Sequence, residues 1–227
     1  MARDEMAFTA DDFIRPLTEL GSGDADRPFA GIGMGRIFAL AKELRAMPIA
    51  EIERLLEHDE HAVRVGAVAI LDWRARARKV TAEEKRELFE LYLRRHDRID
   101  TWDLVDRAAI WVVGEYLRDQ PRDVLDRLAA SSKPMERRTA ILSTYAFIRR
   151  GELDDTYRIA ETLVHDPDEL VGKTVGWMLR EAGKRDLHRL TAFLDSHAAS
   201  MPRPMLRQAI EKLPAPDRDR HLAMKGR

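Results

Sequence analysis

The chain has 227 residues, of which 44% are hydrophobic and 35% are charged, and its formal net charge at pH 7 is -1. This composition is typical of a folded chain of one extended domain or two small ones, and it excludes a disordered protein. The chain has no cysteine, which excludes a disulfide scaffold, a thiolate metal site and a cysteine nucleophile. With no long apolar run and no signal-peptide pattern, the sequence predicts a cytoplasmic protein.

The charge is unevenly distributed along the chain. Residues 1–26 hold seven acidic side chains against two arginines, a net charge of -5, and the remaining 37 basic and 33 acidic residues give about +4. A basic face beneath an acidic N-terminal element is therefore one expectation, and it becomes a phosphate track only where basic residues cluster.

Apolar residues recur at spacings of three and four along almost the whole chain, which predicts helix after helix and no strand. We expect one domain over residues 1–227: an N-terminal helix and a glycine-rich loop over 1–35, stacked helices over 36–213 and a C-terminal tail over 214–227. The loop includes Gly31, Gly33 and Gly35. No apolar strand precedes these glycines, so we interpret the loop as a flexible entry into the next helix rather than as a nucleotide site.

From residue 49 onward the predicted helices form pairs with short connections. The pairs are 49–58 with 61–78, 81–95 with 101–118, 121–130 with 134–149, 152–165 with 168–182, and 186–197 with 204–213. The second helices align on small residues that are 31 to 42 positions apart, namely Ala67, Ala109, Ala140, Gly176 and Ala209. This period predicts an all-α fold, an α-solenoid of HEAT-like helical pairs, curved with a concave face lined by the second helices.

Trp102 and Asp106 are the most informative pair in the sequence. They are four residues apart, so on a helix they lie on one face, an aromatic ring beside a carboxylate. On the residues alone, two interpretations stay open: a functional pair, or a core tryptophan and a solvated or capping charge. The predicted concave wall is basic, with two aromatic residues and one acid: Arg64, Trp102, Asp106, Arg137, Arg138, Lys173 and Trp177.

Three stretches of the chain resemble a known family. They are Trp-Asp-Leu-Val-Asp at 102–106, Arg-Arg-Thr-Ala-Ile-Leu at 137–142, and Gly-Lys-Thr-Val-Gly-Trp-Met-Leu-Arg-Glu at 172–181. In this order they are similar to the HEAT-repeat DNA alkylation repair enzymes, the AlkD-type alkylpurine DNA glycosylases. The resemblance extends from about residue 30 to residue 213.

The resemblance implies hydrolysis of the N-glycosidic bond of N3- or N7-alkylated purines in double-stranded DNA. It implies that Asp106, Trp102 and Trp177 are catalytic, with Asp106 stabilising positive charge on the sugar and positioning water. It also implies that the damaged base stays in the DNA stack. We expect DNA contacts from the basic residues Arg138, Arg137, Lys173, Arg64 and Arg207, and we expect a monomer without a cofactor or metal.

Several neighbouring residues have structural interpretations. Of the consecutive Arg137 and Arg138, one is expected to reach phosphate while the other pairs with an acid such as Glu136. Asp103 is interpreted as a helix-start charge, and His58 and His61 are not expected to bind metal. Trp73 and Trp111 are assigned to the core, although the basic residues after Trp73 could touch phosphate: Arg74, Arg76, Arg78 and Lys79.

Two other functions remain as hypotheses. A non-catalytic HEAT-repeat protein that binds DNA structures predicts salt-dependent DNA affinity without base release. A scaffold for protein partners predicts no DNA affinity.

Overall fold

The structure, a computed structural model, describes residues 7–21 and 29–224. These residues form helices and no strand, which confirms the predicted all-α fold of α-solenoid type. The acidic N-terminal segment and the glycine-rich loop predicted above lie partly outside the described residues, at 1–6 and 22–28. No helix of the described ranges is long and apolar enough to cross a membrane.

The chain divides into two compact units, Met1–Tyr116 and Leu117–Arg227, and the single domain stays a prediction. The first contains α1 (Ala10–Glu19), α2 (Met34–Glu43), α3 (Ile49–Glu57), α4 (His61–Ala75), α5 (Ala82–Arg94), a 3₁₀ turn (His96–Arg98), α6 (Trp102–Ala108) and a π-helix (Ala109–Gly114). The boundary falls in α7 (Glu115–Leu117). The second contains α8 (Asp123–Ala129), α9 (Pro134–Ser143), α10 (Tyr145–Ile148), α11 (Asp154–Leu163), α12 (Glu169–Gly183), α13 (Leu187–His197), α14 (Arg203–Ile210) and α15 (Ala215–Ala223).

Helix α4 forms the centre of the first unit. It packs on α2, α3 and α6, and its residues 63–72 are all buried. Gly66 permits the closest approach, because an added Cβ would lie 1.9 Å from the Phe13 ring of α1. A buried helix of this kind draws its stability from packing on several neighbours rather than from a single amphipathic face.

Helix α12 has the same position in the second unit, where it packs on α9, α11, α13 and α14. It begins where the Asp168 carboxylate accepts the backbone N–H groups of Leu170 and Val171, an N-cap that satisfies two donors of its first turn. A Cβ on Gly176 would lie 2.3 Å from the Met205 carbonyl oxygen, so α14 approaches the backbone of α12 directly. Second helices thus stack on one another within this unit, as the repeat pattern predicts.

The predicted helix 101–118 is not one continuous α-helix. After α6 the chain makes the π-helix Ala109–Gly114 and then α7. A π-helix accommodates an extra residue per turn, so the angular positions inferred from a 3.6-residue repeat hold for α6 and fail after it.

The predicted helix 134–149 is interrupted at Thr144, between α9 and α10. The Thr144 hydroxyl donates to the Ile141 carbonyl at 2.7 Å, and the Ser143 hydroxyl donates to the Thr139 carbonyl at 2.7 Å. Hydroxyls bonded back onto the preceding turn bend helices, which accounts for the interruption.

The residues predicted as a C-terminal tail include α15, Ala215–Ala223. Pro216 lies in its first turn, where proline is favoured because the backbone N–H there has no helical partner. The Pro-Ala-Pro sequence at 214–216 is therefore a helix start, and the segment predicted as a C-terminal tail contains a helix.

Candidate functional site

The predicted site residues divide between the two units. Arg64, Trp102 and Asp106 belong to the first, and the second contains Arg137, Arg138, Lys173, Trp177 and Arg207. Each group is built by its own helices.

Trp102 is the first residue of α6, and Asp106 lies one turn further along the same helix. The Trp102 side chain is exposed, with 52% of its surface accessible, whereas Leu104 and Val105 on the same helix are fully buried. Asp106 is half-buried. An exposed indole at the start of a helix is not part of a core, so the core interpretation of Trp102 fails and the ring is accessible to a ligand.

Asp103 joins the start of α6 to the start of α4. Its carboxylate accepts the Thr101 hydroxyl at 2.7 Å and lies 2.8 Å from Nε2 of His61. Burial alone would raise the pKa of Asp103, but the hydrogen bonds from Thr101 and His61 outweigh burial and hold this pKa below its usual value. The carboxylate is therefore ionised at neutral pH and fixes the turn that carries Trp102.

Arg64 is a structural residue in its described contacts. It is 8% exposed, and its guanidinium donates to the carbonyls of His58 and Asp59 at 3.1 and 2.7 Å. Its other end lies 3.4 Å from the exposed Asp100 carboxylate. Arg64 thus caps the connection from α3 to α4 and reaches the segment before α6, so its assigned DNA contact stays a prediction.

A buried ion cluster lies between α4 and α6. The Asp72 carboxylate, which is fully buried, is 2.6 Å from Arg76 and 2.9 Å from Arg107. Burial raises the pKa of Asp72 above its usual value, with Arg107 and Arg76 opposing it, and burial lowers the pKa of Arg107. The cluster joins α4 to α6 through Arg107, which directly follows Asp106 on α6.

Aromatic rings cover this cluster. Arg107 lies 4.3 Å from the ring centre of Phe38, and Arg76 lies 4.5 Å from that of Trp111. Trp73 is half-buried and its indole N–H donates to the Phe38 carbonyl at 3.3 Å. Trp111 is also half-buried, so both tryptophans pack against cations at the edge of the core rather than inside it.

In the second unit, Arg137 makes the acid pair that was expected of one arginine. Its guanidinium holds the Asp166 carboxylate through two nitrogens at 2.5 and 3.0 Å, and it donates to the carbonyls of Ser131 and Ser132 at 3.0 Å. Hydrogen bonding to Asp166 is the largest effect on Arg137 and raises its pKa. A guanidinium with these four bonds has little remaining capacity for phosphate.

Arg138 is the next residue of α9 and is 6% exposed. It donates to the Leu170 carbonyl at 2.6 Å, in the first turn of α12. This bond ties α9 to α12, so the assigned phosphate contact would use the few accessible atoms of an arginine that is already positioned.

Trp177 follows Gly176 on α12 and is half-buried, with its ring 6.5 Å from that of Tyr145. Lys173, one turn earlier, is exposed and lies 2.6 Å from the Glu169 carboxylate. Arg207 is exposed on α14. Trp177 and these two cations are thus accessible, while Arg137 and Arg138 chiefly hold the helices in place.

The sequence analysis missed Asp72 and the His61–Asp103 pair. The sequence did contain a signal for Asp72, because this acidic residue directly follows the apolar run 65–71. A charge next to such a run is expected to be buried and therefore to need a cationic partner. The His61–Asp103 pair carried none, since 42 positions separate its members. Among the described residues, no cluster of three or more His, Cys, Asp or Glu side chains could hold a metal ion.

The chemistry of α6 suits a cationic ligand: an accessible indole face followed one turn later by a carboxylate. The family model described as DNA alkylation repair enzyme matches residues 8–213. No curated protein matches the chain.

Proposed function

Because the chain belongs to the family of DNA alkylation repair enzymes, we propose that it hydrolyses the N-glycosidic bond of N3- or N7-alkylated purines in double-stranded DNA. The family supplies the broader role, an enzyme of DNA alkylation repair with DNA as its partner. The pair of Trp102 and Asp106 on α6 carries the finer proposal, because it puts a carboxylate one helical turn from an exposed aromatic ring.

An alkylated purine of this type is a cation, so it leaves without prior protonation. The bond between the base and C1′ of deoxyribose breaks, its electron pair neutralises the purine, and positive charge builds on the sugar. In the proposal the Asp106 carboxylate stabilises this charge and orients a water molecule, whose oxygen bonds to C1′ while its proton is transferred to a carboxylate or to solvent. The products are the free base and an abasic sugar.

The aromatic residues are assigned to the cationic nucleotide. The accessible faces of Trp102 and Trp177 can each contribute about 0.5 to 2 kcal/mol of cation–π attraction. The exposure of Trp102 supports recognition from the backbone side, with the base left in the stack, because a ring at the surface encloses no base. This arrangement tolerates bulky adducts.

The basic residues are assigned to the DNA backbone. Lys173 and Arg207 are exposed and suit this role directly. Arg64, Arg137 and Arg138 remain proposed contacts of lower capacity, because their guanidinium groups already bind backbone carbonyls. We propose that a monomer binds the duplex.

Release of free base from duplex DNA tests the proposal. Duplexes containing N7-methylguanine or N3-methyladenine are incubated at low salt with the wild type, with Asp106→Asn, and with Asp123→Asn as a matched control. Asp123 is exposed in the first turn of α8, so its variant removes one charge from a helix that carries none of the assigned residues.

The proposal predicts base release by the wild type and Asp123→Asn and loss of release in Asp106→Asn. DNA binding without release by the wild type would instead favour a non-catalytic binder of DNA structures. Absence of both would leave a scaffold for protein partners.

A further inference from the structure

A basic cavity lies in the first unit, at the C-terminal end of α4 and away from the start of α6. Its volume is about 330 Å³, and its charged lining residues are Arg45, Arg74, Lys79 and Glu84. Three cations therefore face one carboxylate. Arg78 precedes Lys79 and is exposed, which adds a fourth cation at this end of the helix.

The carboxylate in this cavity is already engaged. Glu84 accepts the backbone N–H of Thr81 at 2.8 Å in a capping box and lies 3.7 Å from Arg74. Arg74 is itself held by the Met47 carbonyl at 2.9 Å. Glu84 and Arg74 thus pair with each other, and no carboxylate in the part of the chain that the structure describes forms an ion pair with Arg45, Arg78 or Lys79.

These three exposed residues form what we call the basic patch: Arg45, Arg78 and Lys79. Within the described ranges, none of them makes an ion pair, and the Arg45 guanidinium bonds only to the Lys42 carbonyl, at 3.0 Å. Two other exposed cations of the same unit do have acidic partners: Arg86 lies 2.5 Å from Glu83, and Arg94 lies 2.7 Å from Glu53. The basic patch therefore carries three positive charges that have no acidic partner among residues 7–21 and 29–224, in a protein whose net charge is -1.

The helix dipole does not account for this concentration of charge. Cations stabilise the last turn of a helix, and the effect falls off within that turn. Helix α4 ends at Ala75, so Arg78 and Lys79 lie beyond the range of its dipole. Arg45 caps the C-terminal end of α2 through the Lys42 carbonyl. Arg78 and Lys79 stabilise no element through a described contact, and like charges concentrated in this way are an electrostatic footprint for a polyanion.

We propose that the basic patch binds phosphates of duplex DNA, as a second contact in addition to the residues assigned around Asp106. The inference rests on the proposed function only in taking DNA as the partner. Lysine and arginine side chains that neutralise phosphates release counterions, so each contact makes the affinity more sensitive to salt. The patch supplies affinity without reading sequence, as a repair enzyme that searches undamaged DNA requires.

The test compares the affinity of full-length proteins for an undamaged duplex over a range of NaCl concentrations. The variant is Arg78→Ala/Lys79→Ala. The control is Arg127→Ala/Arg150→Ala, which removes two exposed cations of the second unit that have no partner among the described residues. Thermal unfolding of all three proteins checks that both variants fold.

We expect the patch variant to bind more weakly at low salt and to reduce the slope of log affinity against log salt by about 1.8, the value for two phosphate contacts. The control should keep the wild-type slope. A patch variant with the wild-type slope, or an equal loss in the control, would overturn the inference.

Base release by the wild type decides the proposed function separately. If the patch variant has a reduced salt slope but the wild type releases no base, the basic patch is supported and the glycosylase proposal is contradicted. If the wild type releases base but the patch variant keeps the wild-type slope, the glycosylase proposal is supported and the basic patch is contradicted. A wild type that binds no DNA would contradict both.

Discussion

The Arg107 guanidinium lies 2.9 Å from the Asp72 carboxylate, and this ion pair joins α4 to the helix that carries Trp102 and Asp106. Both partners are withdrawn from solvent, Asp72 completely. Ions buried in this way are costly to leave without a partner, so the pair fixes how the two helices meet.

Replacement of Asp72 should therefore strongly destabilise the protein. In Asp72→Ala the guanidinium groups of Arg107 and Arg76 lose their shared carboxylate, and we expect the free energy of unfolding in urea to fall by about 3 kcal/mol. Asp119→Ala, which removes an exposed partner of Arg118, serves as the control and should change little. Equal small effects in both variants would show that the buried pair does not hold α6.

The pH dependence of stability should reveal Asp103. Its pKa is below the value of about 3.9 in an unfolded chain, so its ionised form stabilises the folded state above that pH, and this contribution is lost as the pH falls through the folded pKa. We expect Asp103→Asn to be less stable than the wild type at pH 6 and the difference to shrink below about pH 3.9. Unfolding in urea measures this, with Asp123→Asn as control; a pH-independent difference would contradict the assignment.

Replacement of each of the two tryptophans assigned to the nucleotide should change the free energy of unfolding by a different amount. Trp102 is 52% exposed, so Trp102→Ala should change the free energy of unfolding by less than about 0.5 kcal/mol. Trp177 packs against Tyr145, so Trp177→Ala should be destabilising. Both variants should slow base release, by about tenfold for Trp102→Ala. Undiminished base release by folded Trp102→Ala would remove Trp102 from the site.

Gly176 should not tolerate a methyl group. In Gly176→Ala the Cβ would lie 2.3 Å from the Met205 carbonyl oxygen, a backbone atom that moves only with α14, and we expect a loss of about 1 to 3 kcal/mol in the free energy of unfolding. Gly172→Ala on the same helix is the matched control. Its Cβ would meet only the Met205 side chain, no closer than 3.4 Å, and alanine favours the helix by about 1 kcal/mol. Similar losses in both would contradict the close approach of α12 and α14.

The helical pairs could be predicted from the sequence because their apolar spacing reflects burial on one neighbour after another. The small residue Gly176 even marked the contact of α12 with α14. The π-helix after Ala108 could not be predicted, since its apolar residues are equally compatible with an α-helix and no residue type marks the extra residue per turn. Helix α15 could have been, because proline at a helix start is a local signal.

Site residues were predicted from local spacing and a family resemblance, and partners distant in sequence stayed hidden. Trp102 and Asp106 are four positions apart, so α6 alone determines their geometry. The partner of Arg137 is Asp166, 29 positions away, and no local pattern distinguishes this arginine from one that faces solvent. The roles of basic residues are therefore the part of the site that required a structure.

The rate of the chemical step in Asp106→Asn tests the central claim most directly. With the protein in excess over a duplex that contains N7-methylguanine, the single-turnover rate constant reports bond breaking, and the dissociation constant is measured on the same duplex. We predict that the rate constant falls by about 100-fold or more while the dissociation constant stays within about twofold of the wild type. A rate constant within about threefold of the wild type would show that Asp106 does not act on the sugar.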